Sequence, residues 1–288
     1  MHKLKKSIFL LVSVACMALF AACSGENGAT NAKGDESDVS SSSVAASSSS
    51  AKSSSSVAPS SSSAWTIPSV ADTCSPVTAK TVAPSTVVTG TMTDTRDGQT
   101  YKTVTIGKQT WMAENLNYDP GDVSSLGSYA WHGCYNDDAN NCVTYGRLYT
   151  WEVTMNDAAC AYGNTCNPSG TVQGICPEGW YVPSDAEWNT LWAAVGGCST
   201  AGAKFKSTTG WDNYGNGIDE YGFSVLPAGV RIEGNFYDQG EFAQLWSASE
   251  NYSDYATSQG FNDRDDDLVQ YYPYKNSANS LRCIQDSN

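Results

Sequence analysis

Apolar residues in this chain fall into a few short, well-punctuated patterns, the clearest at 179–197, GWYVPSDAEWNTLWAAVGG. Pro183 draws the residue before it toward extended backbone, so a short strand should end at Val182. Ser184 then stands where a helix N-cap belongs, with Glu187 three positions on, the spacing of a reciprocal capping box. Trp188, Leu191, Trp192 and Val195 follow at i, i+3, i+4 and i+7, which predicts a helix with one apolar stripe. Gly196 and Gly197 supply its left-handed stop. A stripe carrying two tryptophans needs a broad partner surface, and a sheet built from the flanking segments is the expected one.

The period changes to two near the start of the folded part. Lys102, Val104 and Ile106 alternate with Tyr101, Thr103 and Thr105, a half-buried strand entered from an Asp97-Gly98 turn. Gly107-Lys108 turns the chain into a second strand with Gln109 and Trp111, running on to Met112 and Leu116.

The first 64 residues carry neither pattern. Lys3, Lys5 and Lys6 precede an apolar run at 8–20 that is too short for a membrane span. Ala21 and Ala22 then lead to Cys23. This resembles the lipobox of bacterial lipoproteins, which implies a signal peptide at 1–22 and a lipidated Cys23; an ordinary cleaved signal with a secreted product is the alternative. Phe20 departs from the smaller or aliphatic residue usual at its place in that motif. Ser24, by the same analogy, favours sorting to an outer membrane. Residues 23–64 are Ser-rich and almost without apolar side chains, so a disordered spacer is expected there. About 40 such residues reach roughly 35 Å. An extended lead-in at 65–93 and one folded domain at 94–288 complete the expected organisation.

Charge narrows the partners. The chain has 16 Lys and Arg against 30 Asp and Glu; removing the three leader lysines leaves 13 against 30, a net charge of −17. Nucleic acid and anionic surfaces are poor partners for such a chain, and membrane contact is expected only through the lipid. Eight cysteines follow Cys23: Cys74, Cys134, Cys142, Cys160, Cys166, Cys176, Cys198 and Cys283. An even number in an exported chain reads as disulfides. Zinc is disfavoured, because no Cys-x-x-Cys occurs and His132 is the one histidine after the leader. Cys134 and Cys142 bracket the polar loop CYNDDANNC and are the best local pair, with Cys160 and Cys166 second. Cys283 should tie the last strand back to an earlier element.

DGQTYKTVTIGKQTWMAENL, YGRLYTWEVTM, GICPEGWYVPSDAEW, DEYGFSVLPAGVR, LWSASE and SLRCIQD occur in this order between 94 and 286. The set resembles the Fibrobacter succinogenes major paralogous domain family, in which a Ser-rich tether behind a lipoprotein-type signal is typical. That family brings no assigned activity. More distantly, the order of motifs is similar to C-type lectin-like and formylglycine-generating-enzyme-like domains. This implies an α+β fold: a twisted antiparallel sheet, two helices and long loops, stabilised by disulfides. The resemblance puts the first helix at YGRLYTWEVTM, with Leu148, Trp151 and Met155 at helical spacing, and the second at 184–195. It puts a long loop region at 199–244 and a meander at 245–249, 257–262, 268–274 and 280–284.

No motif for catalysis stands out. His132 lacks a nucleophile-elbow partner. Glu220, Glu233, Glu241 and Glu250 show no spacing that selects a pair for glycoside hydrolysis. The loop WDNYGNGIDEYG holds Asp212, Asn213, Asn216, Asp219 and Glu220, oxygen donors of the kind calcium takes, yet an Asx- and Gly-stabilised loop without metal explains it as well. NDRDDDL at 262–268 reads as a hairpin tip with its charges in water. Trp211, Tyr214, Tyr237, Tyr252 and Tyr255 stand among Asn and Asp in the loop-rich half, a mixture suited to sugar stacking and hydrogen bonding. The expected site is therefore Trp211, Asp212, Asn213, Tyr214, Asp219 and Tyr237, with no cofactor and no metal. The first functional expectation is a non-enzymatic, surface-tethered domain that binds polysaccharide or another surface partner. A structural or assembly component of the envelope, binding an envelope protein, comes second, and a carbohydrate-active enzyme third.

Overall fold

The computed structural model describes residues 81–286. The signal segment 1–22, Cys23, the linker 23–64, Cys74 and the start of the lead-in lie outside the described residues.

Val88–Thr93 (β1), Thr100–Ile106 (β2) and Gln109–Met112 (β3) form an antiparallel meander. β1 falls in the last residues of the lead-in expected to be extended. It pairs with β2 along its whole length, from Val88 opposite Thr105 to Thr93 opposite Thr100. Its Thr- and Gly-rich face is exposed, so it carries no alternation to read. β2 is buried on both sides: Tyr101 feeds one core cluster, Val104 and Ile106 the other.

His132–Gly133 (β4) leads to a helix at Ala139–Tyr145 (α1), then Leu148–Tyr149 (β5), which pairs with β4. Of the expected first helix, the first residue, Tyr145, closes α1 instead, while Trp151–Met155 (α2) is helical. Residues 148 and 149 cannot join it, because the Tyr149 backbone exchanges hydrogen bonds with Asn279 at 2.9 and 3.0 Å. Beyond α2, Gly174 has φ 55°, and a Cβ there would lie 2.3 Å from the Thr154 carbonyl oxygen, so only glycine fits.

Trp180–Tyr181 (β6) precedes the long helix Asp185–Val195 (α3). The capping box of Ser184 and Glu187 is formed, with the Ser184 backbone N–H donating to the Glu187 carboxylate at 2.9 Å. Trp188, Leu191, Trp192 and Val195 are all buried, and Gly196 and Gly197 both take positive φ. A further helix, Cys198–Phe205 (α4), occupies the start of the expected long loop, so with α1 there are four helices among the described residues rather than two. α4 buries Ala201 and Phe205, one turn apart on one face.

The hairpin Val230–Ile232 (β7) and Asn235–Tyr237 (β8) is followed by Phe242–Tyr252 (β9), Tyr255–Asn262 (β10), Val269–Tyr271 (β11) and Ile284–Gln285 (β12). β9, β10 and β11 make a three-stranded sheet; β12 does not extend it. It enters the first sheet instead, whose order is β1-β2-β3-β12-β6. The segment before it stitches the two sheets together. Ser280 bonds with Gln244 and Trp246 on β9, while Leu281 and Cys283 accept from Leu116 and Met112. The outcome is a mixed α/β fold with antiparallel sheets.

Two clusters make the main core. One gathers Trp111, Trp188, Trp192, Phe205, Phe223 and Phe261; the other gathers Tyr149, Trp151, Trp180, Trp246, Cys176 and Cys283. Cys134 pairs with Cys142, Cys160 with Cys166 and Cys176 with Cys283, and Cys198 is also disulfide-bonded.

Candidate functional site

The residues expected to bind divide by burial. Trp211 is 5% exposed, and its indole N–H donates to Ser207 Oγ at 3.1 Å and to the Val225 carbonyl at 3.0 Å. It belongs to the core and is withdrawn from the expected site: its N–H finds buried acceptors, so the ring can be packed at no polar cost. Asp219 is turned to its own loop, accepting from Ser224 N–H at 2.7 Å. Asn213 donates to the Asp263 carboxylate. Asp212 is exposed, and Tyr214 and Tyr237 are exposed aromatics on two different elements. In the oxygen-rich loop, Asn216 accepts from Trp211 N–H at 3.0 Å, so two of its five candidate donors hold backbone. Among the described residues no group of three His, Cys, Asp or Glu side chains stands close enough for a metal.

The acidic tip at 262–268 is not wholly solvated as expected. Asp263 is buried, and Lys206, also buried, donates to the carbonyls of Asn262 at 3.1 Å and Asp265 at 2.9 Å. A single ammonium thus organises the turn. His132 is engaged through Nε2 with the Gly121 carbonyl at 2.9 Å and stacks on Tyr149.

A different surface is built around β9 and β10. Tyr129, Tyr162, Tyr274 and Tyr255 form a row of touching rings, with centroids 5.7, 5.9 and 4.6 Å apart in that order. The last pair is stacked, and the hydrogen bond that the Tyr255 hydroxyl donates to Tyr274, followed by burial, pushes Tyr255 up to about 12. Beside this row, at the β9–β10 turn, Tyr252 is 68% exposed and borders an open groove of roughly 570 Å³. Thr165, Asn167, Pro168, Ser249, Glu250, Asn251 and Ser253 line the rest of it.

Three chain segments are pinned together under that groove. The Glu250 carboxylate accepts from the backbone N–H of Cys166 at 2.9 Å and of Asn167 at 2.8 Å, and pairs with the Lys275 ammonium. Burial works to raise the Glu250 carboxyl, but these bonds outweigh it and hold the group below its ordinary range. Lys275 also donates to the Asn164 carbonyl at 2.6 Å and lies 4.7 Å over the Trp151 ring. The Cys160–Cys166 disulfide closes the same loop, and Gly163 N–H donates to the Ser253 carbonyl at 3.1 Å. The row and the groove are therefore held on a common support.

Residues 104–285 match the family model of the Fibrobacter succinogenes major domain. The chain belongs to that family. No curated protein and no solved structure matches it. The Fibrobacter succinogenes major domain as matched runs from within β2 to the end of β12, and the tyrosine row and groove lie wholly inside it.

One more group of this Fibrobacter succinogenes major domain lies behind the row. Glu152 on α2 is fully buried, and neither carboxylate oxygen makes a hydrogen bond of good geometry. A Cβ at Gly127 would come 3.9 Å from its Oε1 and 3.2 Å from the Ala161 Cβ, which places the carboxyl behind the backbone that carries Tyr129 and Tyr162. Burial pushes Glu152 up to about 7, against the opposing pull of Thr150 and the Lys275 charge.

Sequence reasoning singled out Tyr252 and Tyr255 but missed Tyr129, Tyr162 and Tyr274. The row is assembled from four separate segments, so no local spacing reveals it.

Proposed function

We propose that this chain is a cell-surface lipoprotein whose Fibrobacter succinogenes major domain is a non-catalytic module for binding polysaccharide. The observation that carries the reading is the row of partly exposed tyrosines beside an open groove lined with amides and hydroxyls. Aromatic faces take the apolar faces of pyranose rings, and amides and hydroxyls take their hydroxyl groups. The framework of antiparallel sheets, disulfides and irregular loops supports a C-type lectin-like relationship, in which loops on a rigid scaffold form the binding face. Cys23 and the Ser-rich linker supply the tether in this reading, with the outer membrane as the address and secretion as the alternative.

Retention of the detergent-solubilised full chain on insoluble glycans tests the binding. Capture on at least one glycan, weakened in Tyr252→Ala, is the expected result. Capture of an envelope protein with no glycan retained would favour an assembly role, and release of reducing sugar would overturn the non-catalytic assignment. For the tether, Cys23→Ala should release the protein from membranes; a variant that still partitions fully with detergent would count against lipidation.

A further inference from the structure

We infer that the polysaccharide taken by this groove is uncharged, an inference that rests on the binding role proposed above. Among the described residues no lysine or arginine lines the groove; its walls carry the hydroxyls and amides of Thr165, Ser249, Asn167 and Asn251 and the Glu250 carboxylate, with the Tyr252 ring at the edge. Recognition of a uronic acid or a sulfate needs a free guanidinium or ammonium that can meet the anion at close range.

The one ammonium beneath the groove is already committed. Lys275 has no exposed side-chain surface, pairs with Glu250, donates to Asn164 and covers the Trp151 face. It cannot turn to a ligand without stripping the Glu250 carboxylate of its counter-charge, which burial penalises. Apart from Lys275, the charged groups described beside the groove are acidic. Glu250 forms part of the lining, Asp254 accepts from Ser253 Oγ at 3.2 Å, and the Asp185 backbone N–H donates to Ser249 Oγ at 3.0 Å, its carboxyl held by Ser247 and Gln270. With a chain charge of −14, the local and global fields both repel an anionic glycan. What remains complementary is a ring face for Tyr252 and hydroxyl groups for the amide walls.

Glu250 braces the groove wall from below. Its carboxylate holds the N–H groups of Cys166 and Asn167, and Asn167 sits at φ 45°, a left-handed conformation that the two bonds help to fix at the groove wall.

The test applies the full chain in detergent to immobilised neutral glycans (mixed-linkage β-glucan, arabinoxylan, mannan) and to acidic ones (polygalacturonate, alginate). Each is run at low salt and at about 1 M salt, where the Debye length falls to about 3 Å. The expected result is retention on a neutral glycan, unchanged by salt, and none on an acidic one. Tyr252→Ala and Asn251→Ala should each weaken retention about tenfold, the loss of one contact of ~1.4 kcal/mol, with melting temperatures unchanged. Retention on an acidic glycan that falls with salt would overturn the uncharged class while leaving polysaccharide binding intact. Retention on no glycan would overturn the binding role itself. Retention on a neutral glycan that both variants keep in full would place the ligand elsewhere and overturn the groove as its site.

Discussion

The Trp188 ring, on α3, lies 4.5 Å from the Trp111 ring, on β3, centroid to centroid and tilted by 37°. Both are fully buried, so this contact is where the helix is fastened to the first sheet. Trp192 stacks on Trp188 at 5.1 Å and passes the contact on to Phe205 of α4. Trp188→Ala removes the centre of that chain and leaves a void, at an expected cost of ~3–5 kcal/mol. Ser184→Ala breaks only the capping box and should cost ~1 kcal/mol. Thermal melts of the two variants decide it: a larger loss for Ser184→Ala would refute this account of the core.

α3 was legible because everything that specifies it is local: a proline, a capping pair, one apolar stripe and two glycines within 19 residues. The Cys134–Cys142 and Cys160–Cys166 pairs were legible for the same reason. β1 was not, since an edge strand of exposed Thr and Gly has no buried face to announce it. α4 was hidden by brevity, with only Ala201 and Phe205 marking its apolar side. Trp211 misled because an aromatic in a Gly-rich loop reads as exposed until its N–H acceptors, Ser207 and Val225, are seen. The tyrosine row depends on Tyr129, Tyr162, Tyr255 and Tyr274 meeting in space, which tertiary structure alone decides.

Lys275 and Glu250 make a prediction about support rather than contact. Neither touches the outer surface appreciably, their side chains being 0% and 7% exposed. Lys275→Met leaves a buried carboxylate whose remaining partners are two backbone N–H groups, and should cost ~3–5 kcal/mol. Adding Glu250→Gln removes the orphaned charge, so the double variant should recover part of that loss. Urea denaturation of wild type, single and double variants measures the coupling. Purely additive losses would mean the two residues act independently.

The disulfides should rank by the loops they close. Cys176 and Cys283 are 107 residues apart, and removing that bridge should cost roughly 5 kcal/mol in the chain-entropy account. Cys160 and Cys166 are 6 apart, for which the same account gives only about 2 kcal/mol. The smaller loss carries the functional consequence, because that loop forms a groove wall. Double Cys→Ala variants of each pair, compared by denaturation and glycan retention, separate the two roles. Equal destabilisation by both would contradict the ranking.

Glu152 sets the dependence on pH above the usual carboxylate range. Burial raises it from an ordinary 4.5 to about 7 in the folded protein, so the folded state holds a proton that the unfolded state releases. Below pH ~4.5 both states are protonated at this residue, and it contributes no slope. Between about 4.5 and 7 the folded state binds more protons, and stability falls as pH rises; above about 7 the penalty is complete and constant. A shift of this size corresponds to at most about 3 kcal/mol. Glu250 works in the opposite direction and in a lower window. Its lowered value gives stability that is present above the unfolded carboxylate range and lost as pH falls through the folded one. Glu152→Gln keeps the shape and cannot ionise, so it isolates the first effect. Chemical denaturation at pH 4.5 and pH 8 should show wild type losing on the order of 2–3 kcal/mol across the interval relative to the variant. Because the carboxyl lies close to Gly127 and Ala161, its ionisation should also loosen the backbone next to Tyr129 and Tyr162, seen as amide protection, corrected for the intrinsic pH dependence of exchange, that falls there at pH 8 in wild type and not in the variant. Parallel stability curves for wild type and Glu152→Gln would show that this carboxyl does not titrate in the folded protein over that range.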